Sequence, residues 1–201
     1  MARLQLSKSA LSREQKNLKT YERFLPSLDL KRQQVMAERN KAARQLAQTR
    51  REITEQLQRA GDSNPMLANR DVDLAELVRV TDVRLDVENI VGTRLPTLEA
   101  VNVEVRDYPL MGKPFWVDTT AQMLRQMMEL RIRAQVEERR LALLEQAVKT
   151  ITQRVNLFDK VLIPRARQNI KRIQIYLSDL QTAAVVRSKI AKRKRAVAEA
   201  V

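Results

Sequence analysis

Apolar residues recur along two arms of this chain at alternating steps of four and three. Between Met123 and Leu162 the series is Met123, Met127, Leu130, Ala134, Glu137, Leu141, Leu144, Val148, Ile151, Val155, Phe158 and Leu162, and only Glu137 breaks it. A repeat of 3.5 residues held this long keeps one stripe turned toward one partner, the pattern of a left-handed coiled coil. The series then slips by one place and resumes as Ile163, Ala166, Ile170, Ile173, Leu177, Leu180 and Ala184. One extra residue carries a stripe roughly 100° round an α-helix. With Pro164 just after the slip, the expectation is a helix that continues but bends or locally unwinds there.

The N-terminal arm carries a second repeat. Leu4, Leu11, Leu18 and Leu25 are seven apart, Tyr21, Leu28, Val35 and Ala42 run beside them, and Leu46, Ile53 and Ala60 return to the first row. Ser7, Glu14, Arg32 and Arg39 fall on this seam and weaken it, and Pro26 predicts a kink or interruption. An uninterrupted helix of about 55 residues would reach about 80 Å. A single exposed apolar stripe needs a partner, and the other arm of the same chain is the nearest one. Residues 1–60 and 121–195 are therefore expected to pair antiparallel, with Leu11 and Leu180 near the same end.

Between the arms the period changes. Gly61-Asp62-Ser63-Asn64-Pro65 is a run of breakers that ends the first arm, and a short helix is expected from Asp71 to Val80. Val83, Leu85 and Val87 alternate with polar residues, as do Val101, Val103 and Val105 beyond Gly92 and Pro96, which reads as a β-hairpin. Tyr108 to Pro114 reads as a loop leading to Phe115 and Trp116, aromatics that either pack locally or dock a partner. The predicted fold class is all-α. Arms 1–60 and 121–201 form a long antiparallel two-helix coiled coil, and 61–120 is a small irregular insertion with a hairpin.

Composition agrees with long helices: among 201 residues there are three glycines and six prolines, and 31% are charged. No window approaches eighteen uncharged apolar residues, so no bilayer span is expected. Met1 to Tyr21 carries charge throughout, so no signal peptide is expected either. Cysteine is absent, which is compatible with a cytoplasmic location. The net charge of +14 is uneven: +8 over residues 1–60, −5 over 61–120 and +11 over 121–201. Two basic arms flank an acidic centre.

Candidate chemistry is sparse. With neither histidine nor cysteine, the usual triads, thiol nucleophiles and common zinc sites have no residues to be built from. No phosphate-binding GxxxxGK[ST] loop occurs, since Gly112-Lys113 is followed by proline. Glu137 and Glu138 are read as helical-spacing partners of Arg131, Arg133 or Arg140. No catalytic residue, cofactor or metal is assigned, and the reading is a non-enzyme. Lys189, Lys192, Arg193, Lys194 and Arg195 crowd the C-terminal end, where they could meet nucleic acid, an anionic membrane or an acidic protein surface. Aromatic stacking residues are missing from this cluster, which disfavours single-strand recognition. A solvated terminal helix explains it equally well.

Ile151-Thr152-Gln153-Arg154-Val155-Asn156-Leu157-Phe158-Asp159-Lys160-Val161-Leu162-Ile163-Pro164 resembles the signature of the D subunit of the V-type and archaeal A-type rotary ATPases. Phe158 and Asp159 stand where Leu or Ile and Glu are commoner in that family. Asn169 to Ile173, Tyr176 to Asp179 and the basic tail from Arg187 keep its register. A second motif, Val87-Glu88-Asn89-Ile90-Val91-Gly92-Thr93-Arg94-Leu95-Pro96, resembles the family's middle segment. In the first arm Leu28, Lys31, Arg32 and Val35 match, while Pro26 and Gln33 depart.

The resemblance implies a central rotor stalk that transmits torque between ATP turnover in a catalytic head and proton or sodium passage through a membrane ring. It implies as partners the A and B head subunits, a small F subunit of the stalk and a funnel-shaped subunit coupling to the ring, with no nucleic acid and no membrane insertion. The implied location is cytoplasmic and peripheral to the membrane. On this reading Lys8 and Arg13 of one arm and Arg187, Lys189, Lys192 and Arg193 of the other share one end and face the head. The family motif is carried by Arg154, Val155, Asn156, Asp159, Ile163 and Pro164. Val83, Leu85, Val87, Val101, Val103 and Val105 are the expected contacts to the partner stalk subunits. The other reading that stays open is a basic coiled-coil adaptor for nucleic acid or anionic membrane.

Overall fold

The computed structural model describes residues 4–63, 74, 77–108 and 114–198. In chain order the elements are helix α1 (Lys8–Ser63), strands β1 (Val78–Ile90) and β2 (Thr93–Val105), helix α2 (Trp116–Leu157), a π-turn (Phe158–Leu162) and helix α3 (Ile163–Ala198). The chain is thus largely helical with one antiparallel two-stranded hairpin in its middle. It divides into two compact units, one of residues 31–150 and one of residues 1–30 with 151–201.

In the unit of residues 31–150, the two helices run antiparallel. Val35 and Ala42 of α1 meet Leu144 of α2, with Leu141, Ala147 and Val148 packed around them. Further along, Arg50 Nη2 donates to Glu138 Oε1 at 2.7 Å, so residue numbers fall on one helix as they rise on the other. The heptad positions are the ones that bury: Val35, Ala42 and Leu46 on α1, Ala134 and Leu144 on α2. Burying each large side chain of this kind is worth about 1.5–3 kcal/mol. Thr49 also falls on the seam and is buried, its hydroxyl donating back to the Gln45 carbonyl at 3.3 Å.

The hairpin is longer than its alternation suggested. Its first strand begins at Val78, where a helix was expected to run through Val80; the earlier part of that expected helix, apart from Leu74, and the loop segment 109–113 lie outside the described residues. Val78 and Val80 pair with Val105 and Val103, so they continue the valine ladder rather than a helical face. Val91 and Gly92 form the turn, with φ of 54° and 85°. Two positive φ values in a two-residue loop match the right-handed twist of the strands. Asn89 Oδ1 accepts the Gly92 N–H at 3.0 Å and holds the turn closed. Pro96 lies opposite Val87, which counting from the turn makes a non-hydrogen-bonded pair, so its missing N–H costs the ladder nothing. Bulges leave Thr81 on β1 and Glu99 on β2 without an opposite residue.

In the other unit, Ser7 is the N-cap of α1, accepting the Ala10 N–H on its side-chain oxygen at 3.2 Å. A residue that weakens the seam by pattern therefore starts the helix, and Leu4 lies before it. Helix α1 runs through Pro26 without interruption. Pro26 is exposed, so its ring sits off the seam and its cost, a lost backbone bond and crowding of the Glu22 carbonyl, falls on the solvent side. The arms again run antiparallel: Asn169 Nδ2 meets Glu14 Oε2 at 3.5 Å, Arg167 Nη2 donates to Glu22 Oε1 at 2.8 Å, and Tyr21 stands edge-on to Phe158 with ring centroids 5.6 Å apart.

The slip in the C-terminal repeat is resolved by the π-turn. The Ile163 N–H bonds to the Phe158 carbonyl, five residues back. A π-turn holds about one residue more than an α-turn, so the extra residue is absorbed and the stripe stays in line. Ile151 and Val155 before it and Ile163, Ala166 and Ile173 after it are all buried. The expected swing of the stripe round the helix does not occur. The expected local unwinding does, as this widened turn, and it also suits Pro164, which has no N–H to offer the Lys160 carbonyl.

Among the described residues the seam has no partner after Leu177. In the register of Glu14 with Asn169, the start of α1 at Lys8 lies level with about residue 175 of α3. Beyond it Leu180, Val185, Val186 and Ile190 are each about half exposed. Leu180 is therefore not level with Leu11 but about two helical turns further along.

Candidate partner-binding surfaces

The hairpin is held to the helix pair by its tip. Leu95 is wholly buried among Val35, Ala42 and Leu144, and Ile90 and Val91 pack on the same cluster. That contact accounts for Val91, a β-branched residue kept at positive φ because the turn seats it against the core. Arg140 of α2 secures the arrangement. Its Nη1 donates to Thr97 Oγ1 and its Nη2 to Glu88 Oε2, both at 2.8 Å, and its side chain is only 15% exposed. The middle family-like motif thus has a physical role: Asn89 closes the turn, Gly92 permits it, Leu95 is the anchor and Glu88 takes the arginine.

This overturns the helical-spacing assignment for Arg140 and Glu138. Spacing alone places each beside a neighbour on its own helix, whereas Arg140 reaches the hairpin and Glu138 reaches Arg50 on α1. The docking of the hairpin decides the first partner, and the antiparallel register decides the second. The other end of the hairpin rests on a smaller cluster of Leu77, Trp116 and Val117 with Val78 and Tyr108 around it. Trp116 is spent on packing, while Phe115 next to it is 88% exposed. The phenol of Tyr108 donates to Asp118 Oδ1. That hydrogen bond to the carboxylate, then burial and the carboxylate's charge, push the Tyr108 pKa up from its ordinary value.

With the tip anchored, the valine and leucine row divides. Val103 is buried and so not free for a partner, while Val101 is half-buried. Val83, Leu85 and Val87 are exposed, with Val105 at the strand's end. Opposite them stand Val101, Leu98 and Pro96. The face left open is a narrow apolar ladder on β1, bounded by Asp82, Arg84 and Asp86.

The C-terminal motif also divides between inside and outside. Val155 and Ile163 are seam residues and buried, whereas Arg154, Asn156, Asp159 and Pro164 are exposed together with Leu157 and Val161. Its apolar members build the seam and its polar members face outward.

At the basic end, Lys8 and Arg13 lie in the first turns of α1, and Arg187, Lys189, Lys192 and Arg193 lie in the part of α3 that α1 does not accompany. All six are exposed. They share an end but do not stand side by side, because the α3 cluster is some 12 or more residues past the level of Lys8, about 20 Å along the helix. Between them the exposed Leu180, Val185, Val186 and Ile190 alternate with the charges. The sequence pattern missed this: a heptad row reads the same whether or not a partner accompanies it.

Among the described residues no group of three or more Asp or Glu is placed to hold a metal ion, and no helix is long and apolar enough to cross a membrane.

Residues 10–193 match the model of a family described as the D subunit of ATP synthase. The chain is 34% identical over 193 residues to the D subunit of a V-type ATP synthase from Borreliella burgdorferi, covering 96% of this chain and 95% of that protein. It is 28% identical over 196 residues to the protein of the same name from Chlamydia pneumoniae, covering 95% and 92%. The same name applies to a Chlamydia trachomatis serovar L2 protein, 31% identical over 206 residues and covered to 96% on both sides.

Proposed function

The chain belongs to the family of ATP synthase D subunits, and we propose that it acts as the non-catalytic central-stalk component of a V/A-type ATPase or ATP synthase. In this role it transmits torque between ATP turnover in a head of A and B subunits and proton or sodium movement through a membrane ring. It is peripheral to the membrane on the cytoplasmic side. The observation that carries the reading is the end of α3, a helix with half-exposed apolar residues and a basic cluster that no other part of the described chain covers. Such a surface suits insertion into a sleeve formed by other subunits.

Two long helices interlocked along a seam resist twisting better than one. Exposed charges without deep apolar anchors give a surrounding head no single orientation to grip. The exposed ladder of Val83, Leu85 and Val87 is the contact we assign to the small F subunit of the stalk and the funnel-shaped ring-coupling subunit. The outward residues Arg154, Asn156 and Asp159, with Lys8, Arg13, Arg187, Lys189, Lys192 and Arg193, are assigned to the head.

Reconstitution tests this. Purified chain mixed with the A and B subunits of the same organism should co-elute with them at physiological salt. Retention of duplex DNA under those conditions with no capture of A and B would replace the rotor reading by the basic-adaptor one.

A further inference from the structure

Eight residues separate Val155 from Ile163, both buried on the seam, where two turns of the heptad repeat would take seven. The surplus is housed in Phe158–Leu162, a stretch with no buried residue. Phe158 and Leu162 are half-buried, and the Phe158 ring packs at nearly a right angle on Tyr21. Pro164 follows directly and contributes no backbone donor. Opposite this stretch, α1 remains α-helical.

From these facts we propose that the π-turn is a register joint. It is the place in the C-terminal arm where one residue can be removed without displacing the seam, and it is the turn of that arm most easily opened and twisted. Deleting one residue converts the widened turn into an α-turn, and Ile163, Ala166 and Ile173 keep their places. Deletion elsewhere has no slack to draw on. Pro164 sets where the joint lies: it has no N–H for the Lys160 carbonyl, so a wide turn just ahead of it gives up no hydrogen bond that an α-turn would make there. The turn interrupts the regular α-helical ladder, and its side chains are at most half-buried, so it is held less firmly than the seam turns on either side. In a rotating shaft such a joint would take up twist; that consequence rests on the rotor reading, while the joint itself does not.

The test compares two deletions at exposed positions in the full chain, ΔLys160 in the π-turn and ΔGlu145 in α2. Each is made alone and in a background of Ala10→Cys with Ile173→Cys, whose disulfide reports the register of the seam. The expected result for ΔLys160 is disulfide formation within about twofold of the undeleted chain and loss of the rapidly exchanging amides at 159–163. ΔGlu145 pushes Val148, Ile151 and Val155 off the seam and should lower the melting temperature by about 10 °C or more. Pro164→Ala should keep the disulfide while rapid exchange spreads beyond residues 159–163. The proposal is overturned if ΔLys160 is as damaging as ΔGlu145, or if amides 159–163 of the unaltered chain exchange no faster than their α-helical neighbours.

Discussion

Leu95→Ala is the sharpest test of how the hairpin is held. Leu95 has no exposed surface and lies among Val35, Ala42 and Leu144. Truncating a buried leucine removes its transfer free energy and leaves a cavity, a loss of about 2–5 kcal/mol. A two-stranded hairpin is marginally stable alone, so once its tip lets go the whole ladder should open. At 1.4 kcal/mol per factor of ten, the population of the opened hairpin should rise by roughly 30-fold to a few thousand-fold. Native-state hydrogen exchange reads this directly, because amides bonded between Arg84 and Ala100 should lose protection together. The helical amides around Leu144 should lose far less, since the helices keep each other when the hairpin leaves. Leu95→Met, which nearly conserves volume, should cost under about 1.5 kcal/mol and restore most of the protection. Unchanged exchange along the ladder in Leu95→Ala would refute the anchoring argument, because something other than the tip would then hold the hairpin.

Arg140→Ala should weaken the same docking by about 1–2 kcal/mol, since Arg140 is largely covered but Glu88 is half exposed; Arg140→Lys should recover only part, because an ammonium cannot span Glu88 and Thr97 as the guanidinium does. Equal protection in all three proteins would count against the clamp. Tyr108 should titrate above its ordinary value in a 295 nm absorbance scan, and Asp118→Asn should bring it down. Its folded pKa is raised, so the stability it adds is present below the unfolded value of about 10 and fades as pH climbs through the folded one. No change in the tyrosine titration on Asp118→Asn would contradict this. Replacing Arg187, Lys189, Lys192 and Arg193 together by alanine should weaken binding to the head subunits by roughly 4-fold to 700-fold, at about 0.2–1 kcal/mol for each screened contact. Single replacements should barely register, and undiminished binding by the fourfold variant would move the head contact elsewhere.

The seam is readable because burial follows heptad position almost wherever a partner exists: Val35, Ala42 and Leu46 on α1, Leu144, Ile151 and Val155 beyond. Where no described residue covers it the same pattern misleads, as at the exposed Leu180 and Ala184. The one-residue surplus before Ile163 is countable, but counting cannot tell a swung stripe from a widened turn; the hydrogen bond from Ile163 to Phe158 decides it. Val78 and Val80 read as helix because their strand partners, Val105 and Val103, lie far along the chain. The role of Arg140 escapes for the same reason. A spacing rule sees only neighbours on one helix, and its partners on the hairpin become visible only when Leu95 is docked. Of the expected partner contacts, Val103 is lost to the chain's own packing, which alternation cannot distinguish from exposure.

Whether this chain is a torque-bearing shaft is settled by watching it turn. With the A and B head fixed to a surface and a bead attached to this chain at its exposed hairpin, addition of ATP should turn the bead in one direction in steps tied to ATP turnover. Steady ATP hydrolysis by the same assembly with the bead stationary, or released, would contradict the rotor reading.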